Sequence, residues 1–292
     1  MTENTERLLL CTNGSAVSLP GLRYGEALAE ILRADVHLLG IAESARAQDS
    51  LRELVESASR RLESAGLRVE HRLVIGAAEE VIPAEAAAQL SLVVVGPLGR
   101  PTLHRWLHGS YFRRLMAAIR APLLFVPVAR LPLRKMLVCT GGLPYSATLE
   151  QLSIKLARAA RATLTLLHVV EPISLDYPLA RQVEENWQSL LTTATPQARD
   201  LLDAREQALQ AGVEVDVKVR RGNPVHEILA EQRAGEYDLI GMGSAYSARS
   251  LRHLFLPNVT AGVAETASCP VLAVRAAEPS VDAPDAQRAL DG

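Results

Sequence analysis

Cysteine is scarce in this 292-residue chain: Cys11, Cys139 and Cys269 are the full set, with no CxxC pair and no spacing that suits a metal. An odd, sparse set excludes a disulfide framework and points to a reducing compartment. No sign of charge is in excess. Lys and Arg number 31 against 33 Asp and Glu, a net charge of −2 that argues against a general nucleic-acid binder, which carries a basic surplus. Long apolar runs are missing as well. None approaches the roughly 18 residues that cross a bilayer, and the polar, acidic start from Met1 to Glu6 is not a signal peptide. The expectation is therefore a cytoplasmic protein with neither nucleic acid nor membrane as partner. No GxxxxGK[ST] loop occurs, and no nucleophile–base–acid set emerges, so no efficient enzyme is expected. What remains is ample for a core: 48% of residues are apolar and 22% charged, outside the range of disordered chains, and the length suits two domains better than one.

The chain repeats itself once. Leu10-Cys11-Thr12-Asn13-Gly14 matches Val138-Cys139-Thr140-Gly141-Gly142, and Leu38 to Glu43 matches Leu166 to Glu171, both at an offset of 128. Ala65-Gly66 and Gly76 match Ala211-Gly212 and Gly222 at 146, Leu92 to Gly96 matches Leu239 to Gly243 at 147, and Pro122 matches Pro270 at 148. The order is kept, and the second half carries 18 extra residues between Pro172 and Ala211. They are expected to lengthen a helix or to add a lid.

Within each half, short apolar runs alternate with helical spacing. In the first half, Leu8–Thr12, Val36–Ile41, Leu67–Ile75, Leu92–Val95 and Leu123–Val126 read as strands. Tyr24, Ala27, Leu28, Ile31 and Leu32 share one helical face, Leu51 to Leu62 repeats the pattern, Ala77–Leu90 is alanine-rich, and Ser110–Ile119 makes a fourth helix. Continuous apolar strands between amphipathic helices indicate parallel sheets covered on both faces, with ligands at the carboxyl ends of the strands. The fold class expected is α/β: two tandem Rossmann-like domains, each a five-stranded parallel sheet, packed about a pseudo-twofold. The domains are 1–129 and 133–275, joined through Pro127–Arg134, with a disordered tail at 276–292.

The most informative glycine pattern follows the fourth strand. Gly96-Pro97-Leu98-Gly99 is followed, nine residues on, by Gly109-Ser110. Glycine lets backbone N–H groups approach a phosphate, and a helix starting at Ser110 would aim its positive end at an anion. The plainer reading is that these glycines only shape turns. In the second half the pattern is mostly gone: Gly243 remains, but Tyr246 stands in place of the second glycine, Pro257-Asn258 in place of Gly-Ser, and Ser250 is an extra residue.

The motifs Ala162-Thr163-Leu164-Thr165-Leu166-Leu167-His168-Val169-Val170, Gly222-Asn223-Pro224, Tyr237 to Ser244 and Cys269 to Val274 resemble the universal stress protein family, and the resemblance runs over roughly 8–128 and 135–275. It implies a tandem member whose first half matches the ATP-binding pattern at Gly96, Gly99, Gly109 and Ser110. It further implies that the loop of Cys11, Thr12 and Asn13 borders the nucleotide and that Gly40 and Ile41 offer backbone groups to the adenine edge; Arg100 and Arg105, by their charge and their place in the glycine loop, are candidates for the phosphates. Most ATP-binding members carry Asp where this chain has Asn13. An amide gives a divalent cation no negative charge, which argues against Mg²⁺. The ligand implied is ATP, ADP or AMP, held in a nucleotide-responsive stress module that acts on a protein partner. The second half, with Gly141 in the Asp position, is expected to pair with the first across the fifth strands. A homodimer stays open. A ligand-free interaction or scaffold module and a weak ATP hydrolase are the alternatives. The HxGH signature of nucleotidyl-transferase relatives is absent. His104 and His108 lie in the glycine loop as further candidates for phosphate contact. His168 and His226 read as structural, the Arg113-Arg114 pair as a solvated helix face, and Cys11 and Cys139 as small buried thiols.

Overall fold

The computed structural model describes residues 6–44, 47–87, 90–98, 108–140, 147–171, 187–193, 195–244 and 259–275. In the first half the strands are β1 (Arg7–Thr12), β2 (Asp35–Ala42), β3 (Val69–Ile75), β4 (Leu92–Val95) and β5 (Leu123–Phe125); the helices are α1 (Leu19–Leu32), α2 (Gln48–Ser64), α3 (Ala78–Glu85) and α4 (His108–Ala118). The second half contributes β6 (Lys135–Cys139), β7 (Thr163–Val170), β8 (Val215–Arg221), β9 (Leu239–Ser244) and β10 (Val271–Arg275), with α5 (Ala147–Ala160), α6 (Pro196–Gln210), α7 (Pro224–Gly235) and α8 (Val259–Thr266).

Strand β1 is a run of buried Leu8, Leu9, Leu10 and Cys11, apolar on both faces because helices cover both. It pairs in parallel with β2 on one side and β4 on the other, Leu10 lying opposite Leu38 and Val94. The expectation of two separate five-stranded sheets is corrected here. All ten strands form one mixed sheet in the order β3-β2-β1-β4-β5-β10-β9-β6-β7-β8. The order reads the same from either end, and its centre is the antiparallel pair β5–β10, with Leu124 opposite Leu272. The physical reason is edge satisfaction. Each half alone would leave the apolar edge of its fifth strand unpaired, and each edge is the other's partner. The helical layers follow suit. One core joins Leu8, Leu10 and Leu28 to Val138, Leu156 and Leu201 on the α1, α2, α5 and α6 face. The other joins Leu9, Phe112 and Phe125 to Ile240, Val263 and Val271 on the opposite face. Both cores run across the midline.

Local boundaries differ where local chemistry overrides the pattern. The alanine-rich helix ends at Glu85 rather than Leu90, and it contains Pro83, which has no N–H to donate to Glu79 O. The extra residues of the second half do not lengthen its second helix, since α6 has 15 residues against 17 in α2. They include a 3₁₀ helix, Trp187–Thr192, packed on α6 and β8, and a new start in which Thr195 caps α6 by accepting from Ala198 N–H at 3.3 Å. Residues 172–186 of the insertion and the tail 276–292 lie outside the described residues. Among the described residues no helix is long and apolar enough to cross a membrane.

A fragment ending at residue 129 should not behave as a monomer. Leu123, Leu124 and Phe125 are at most 3% exposed in the full chain, and cutting away β10 uncovers them as a bare strand edge. Size-exclusion chromatography with light scattering should find a dimer or larger species; a stable, monodisperse monomer would contradict the single-sheet account.

Candidate functional site

In the first half the chain leaves β1 toward α1 on one face and leaves β4 toward α4 on the other. The two strands are neighbours, so a crevice opens between their carboxyl ends, the usual place for a ligand in such a sheet.

The β1–α1 loop is closed by its own side chains. Thr12 is fully buried, its Oγ1 3.0 Å from Ser18 Oγ and accepting from Gly14 N–H at 3.1 Å. Asn13 Oδ1 accepts from Ser15 N–H at 3.1 Å and from Ser15 Oγ at 2.6 Å, an Asx turn. Gly14 completes the bend at φ +74°. The hydroxyl of Thr12 and the carbonyl of Asn13 are therefore committed inward, and what this loop can turn to a ligand is backbone and the Asn13 Nδ2 amide. Cys11 faces the α3/α4 core and is fully buried. Gly40 lies opposite Thr12, the last residue of β1, while Ile41 and Ala42 continue β2 beyond it. A Cβ on Gly40 would meet the side-chain ends Leu73 Cδ2 at 2.5 Å and Val55 Cγ2 at 2.9 Å, so the packing of α2 and β3 on this strand favours glycine there.

Gly96 also has a packing role that sequence reasoning missed. A Cβ on it would lie 3.0 Å from Ser18 O, and a Cβ on Gly21 would lie 2.4 Å from Gly96 N. The first turn of α1 rests directly on the exit of β4, backbone against backbone. In the second half a Cβ on Gly243 would meet nothing within 4 Å among the described residues. Gly109 and Ser110 fall in the first turn of α4, where backbone N–H groups lack helical partners and the dipole is positive. Gly99, Arg100, His104 and Arg105 lie outside the described residues, as do Gly141, Tyr246, Ser250, Pro257 and Asn258 of the second half. Arg113 and Arg114 pair with Glu265 (3.4 Å) and Glu79 (3.0 Å), the first tying α4 to α8 across the midline. His226 belongs to the start of α7, its N–H donating to the Asn223 cap at 3.2 Å.

Tyr111, directly after Ser110, went unnoticed in the sequence. It is 7% exposed, and its hydroxyl has no hydrogen-bond partner among the described residues. Burial raises its pKa well above the ordinary value, with smaller contributions from Cys11 and Glu79 nearby. The signal available was the repeat itself, which sets Val259 opposite Tyr111.

The second half builds something else at its carboxyl edge. Thr140 Oγ1 donates to Asp200 Oδ2 at 3.1 Å, and His168 Nδ1 lies 3.0 Å from Thr140 O. Glu150, 4% exposed, is hydrogen-bonded to Asp200 and Thr140, with Oε1 left unpartnered. Burial, then the Asp200 charge, pushes the Glu150 carboxyl up to about 7. In the repeat Glu150 stands opposite Leu22, an acid where the first half has a core leucine, and that mismatch was legible. The three thiols are free, and burial raises each above its ordinary value, Cys269 to about 12, which disfavours reactive thiolates. Among the described residues no group of three or more His, Cys, Asp or Glu could hold a metal ion.

Fold and edge together define a doubled, doubly wound α/β protein with a crevice shaped by glycine and a helix start in its first half. Residues 4–127 and 132–275 each match the model of the universal stress protein family, and the chain belongs to that family. Universal stress protein YxiE of Bacillus subtilis (strain 168) is 30% identical over 146 residues, 48% of this chain and 98% of that protein. The crystal structure of a universal stress protein from Archaeoglobus fulgidus DSM 4304 superposes with a TM-score of 0.65 at 18% identity, covering 94% of this chain and 99% of its own. A Pseudomonas aeruginosa PAO1 protein described as functionally unknown superposes at 0.68 with 16% identity, covering 94% and 93%. At those identities the structures speak for the fold alone.

Proposed function

We propose that the first half binds an adenine nucleotide (ATP, ADP or AMP) and that the protein is a nucleotide-responsive regulatory module. The observation that carries this reading is the start of α4: its open N–H groups follow the Gly96–Ser110 glycine pattern on the chain that leaves β4 at the β1–β4 crevice. Backbone groups of the Thr12–Asn13 loop and the first turn of α4, with Arg100 from the glycine loop, would hold the ligand. Mg²⁺ is not required by this arrangement, because Asn13 brings no carboxylate and its Oδ1 is engaged by Ser15. Occupancy would be read through α4, which packs on α8 of the other half, carries the Arg113–Glu265 pair and sets Phe112 5.3 Å from Phe125 in the central strand pair. The module binds rather than turns over, since no nucleophile–base–acid set stands out in the sequence, and phosphate release should stay at background with or without Mg²⁺.

Mass spectrometry of denatured, freshly purified protein should find an adenine nucleotide, and calorimetry on stripped protein should give one site per chain. Gly109→Val should abolish that binding with no loss of thermal stability in the unliganded protein. No nucleotide in the purified protein and no heat on titration at millimolar ligand would overturn the proposal.

A further inference from the structure

We infer that the Tyr111 hydroxyl reads the base of the bound nucleotide, donating a hydrogen bond to a ring nitrogen of adenine; this rests on the nucleotide reading above. A buried hydroxyl without a partner is costly in any fold and calls for a reason. The Tyr111 Oη is such a group among the described residues, on a side chain 7% exposed. Its position supplies the reason. Tyr111 sits in the first turn of α4, immediately after the residues assigned to phosphate. Its ring packs in the core that also holds Cys11 at the end of β1, Ile41 at the end of β2, Ile82 and Leu98. The phenol feels Cys11, the residue before the last of β1, so it lies toward the carboxyl edge, where the adenine is expected. The charged group beside the phenol, Glu79, is already paired with Arg114, and the Cys11 thiol is at best a weak partner. Burial keeps the phenol protonated, so it is a donor at every working pH.

A second unpartnered phenol provides the contrast. Tyr24 Oη is also buried without a partner, but it lies on α1 in the opposite core and feels Asp238 and Cys269, near the midline rather than the crevice. Tyr24→Phe should leave nucleotide binding unchanged.

The experiment is calorimetric titration of wild type, Tyr111→Phe and Tyr24→Phe with ATP and with its 1-deaza, 3-deaza and 7-deaza analogues, each lacking one ring acceptor. Tyr111→Phe should fold with an unchanged or higher melting temperature and bind ATP about tenfold more weakly, the worth of one hydrogen bond. One of the three analogues should show the same loss against wild type and no further loss against Tyr111→Phe. Affinity within twofold of wild type in Tyr111→Phe, or losses that simply add for all three analogues, would overturn the assignment while leaving nucleotide binding intact. A wild-type protein that binds no nucleotide would instead overturn the functional reading on which it stands.

Discussion

Gly21→Ala should lower the stability of the unliganded protein by about 3 kcal/mol or more, a drop of about 6–12 °C in melting temperature for a chain of this size. The added methyl would sit 2.4 Å from Gly96 N, 2.8 Å from Gly96 Cα and 3.1 Å from Val95 C. All three are backbone atoms, at the exit of a strand whose four residues are buried and of which Val93, Val94 and Val95 are paired on both sides. A flexible side chain could swing away from such a contact; a laddered backbone cannot, so α1 must lift from the sheet or β4 must shift. Gly243→Ala is the matched control. It occupies the position of Gly96 in the second half, where a Cβ meets nothing within 4 Å among the described residues, and should change stability by no more than about 0.5 kcal/mol. Thermal unfolding of the three proteins followed by circular dichroism decides the matter, and a Gly21→Ala protein that melts with wild type would refute the close approach. The same contact explains why Gly109 rather than Gly96 is the site to mutate for binding: Ser18 O lies 3.0 Å from a Cβ on Gly96, so loss of fold there would be confused with loss of ligand.

The second large effect is a pH dependence that Glu150→Gln removes. Glu150 on α5 is buried and shares a hydrogen bond with Asp200 on α6, an arrangement of two carboxyls that needs a proton between them. Asp203 on the same helix and His168, through Thr140 O, are the other titratable groups around the pair; His168 lowers and Asp203 raises the Asp200 carboxyl, whose pKa is raised on balance, burial being the largest cause. Burial and Asp200 together lift Glu150 from 4.5 to about 7. Between those values the folded protein holds a proton that the unfolded chain releases. The contribution is therefore fully present below pH 4.5 and is lost as the pH rises through about 7. Wild type should lose about 1–3 kcal/mol on this account between pH 5 and pH 8. A glutamine keeps the shape and one donor but cannot ionise, so its profile should be flat over that range. Urea unfolding at four pH values measures both curves; parallel profiles would dismiss the shared proton.

The sequence alone determined the parts that depend on neighbours along the chain. Leu8 to Cys11 and Leu92 to Val95 are apolar without interruption, and runs this short between turn residues suit strands covered on both faces. The internal repeat then fixed a duplicated order of elements, and the spacing of Gly96, Gly99, Gly109 and Ser110 marked the loop worth attention. The tertiary structure decided what depends on residues far apart. It turned the expected pairing across the fifth strands into a continuous hydrogen-bonded ladder, β5 on β10, so that two expected sheets became one, because an unpaired apolar edge is best satisfied by its own copy. It set Gly21 on Gly96 across 75 residues of chain and gave that glycine a packing duty. Glu150 meets Asp200 and Tyr111 comes to Cys11 only in the folded chain. Hydrophobic spacing is a property of local backbone geometry; the fit of one backbone against another, and the environment of a buried polar group, exist only once distant segments are in contact.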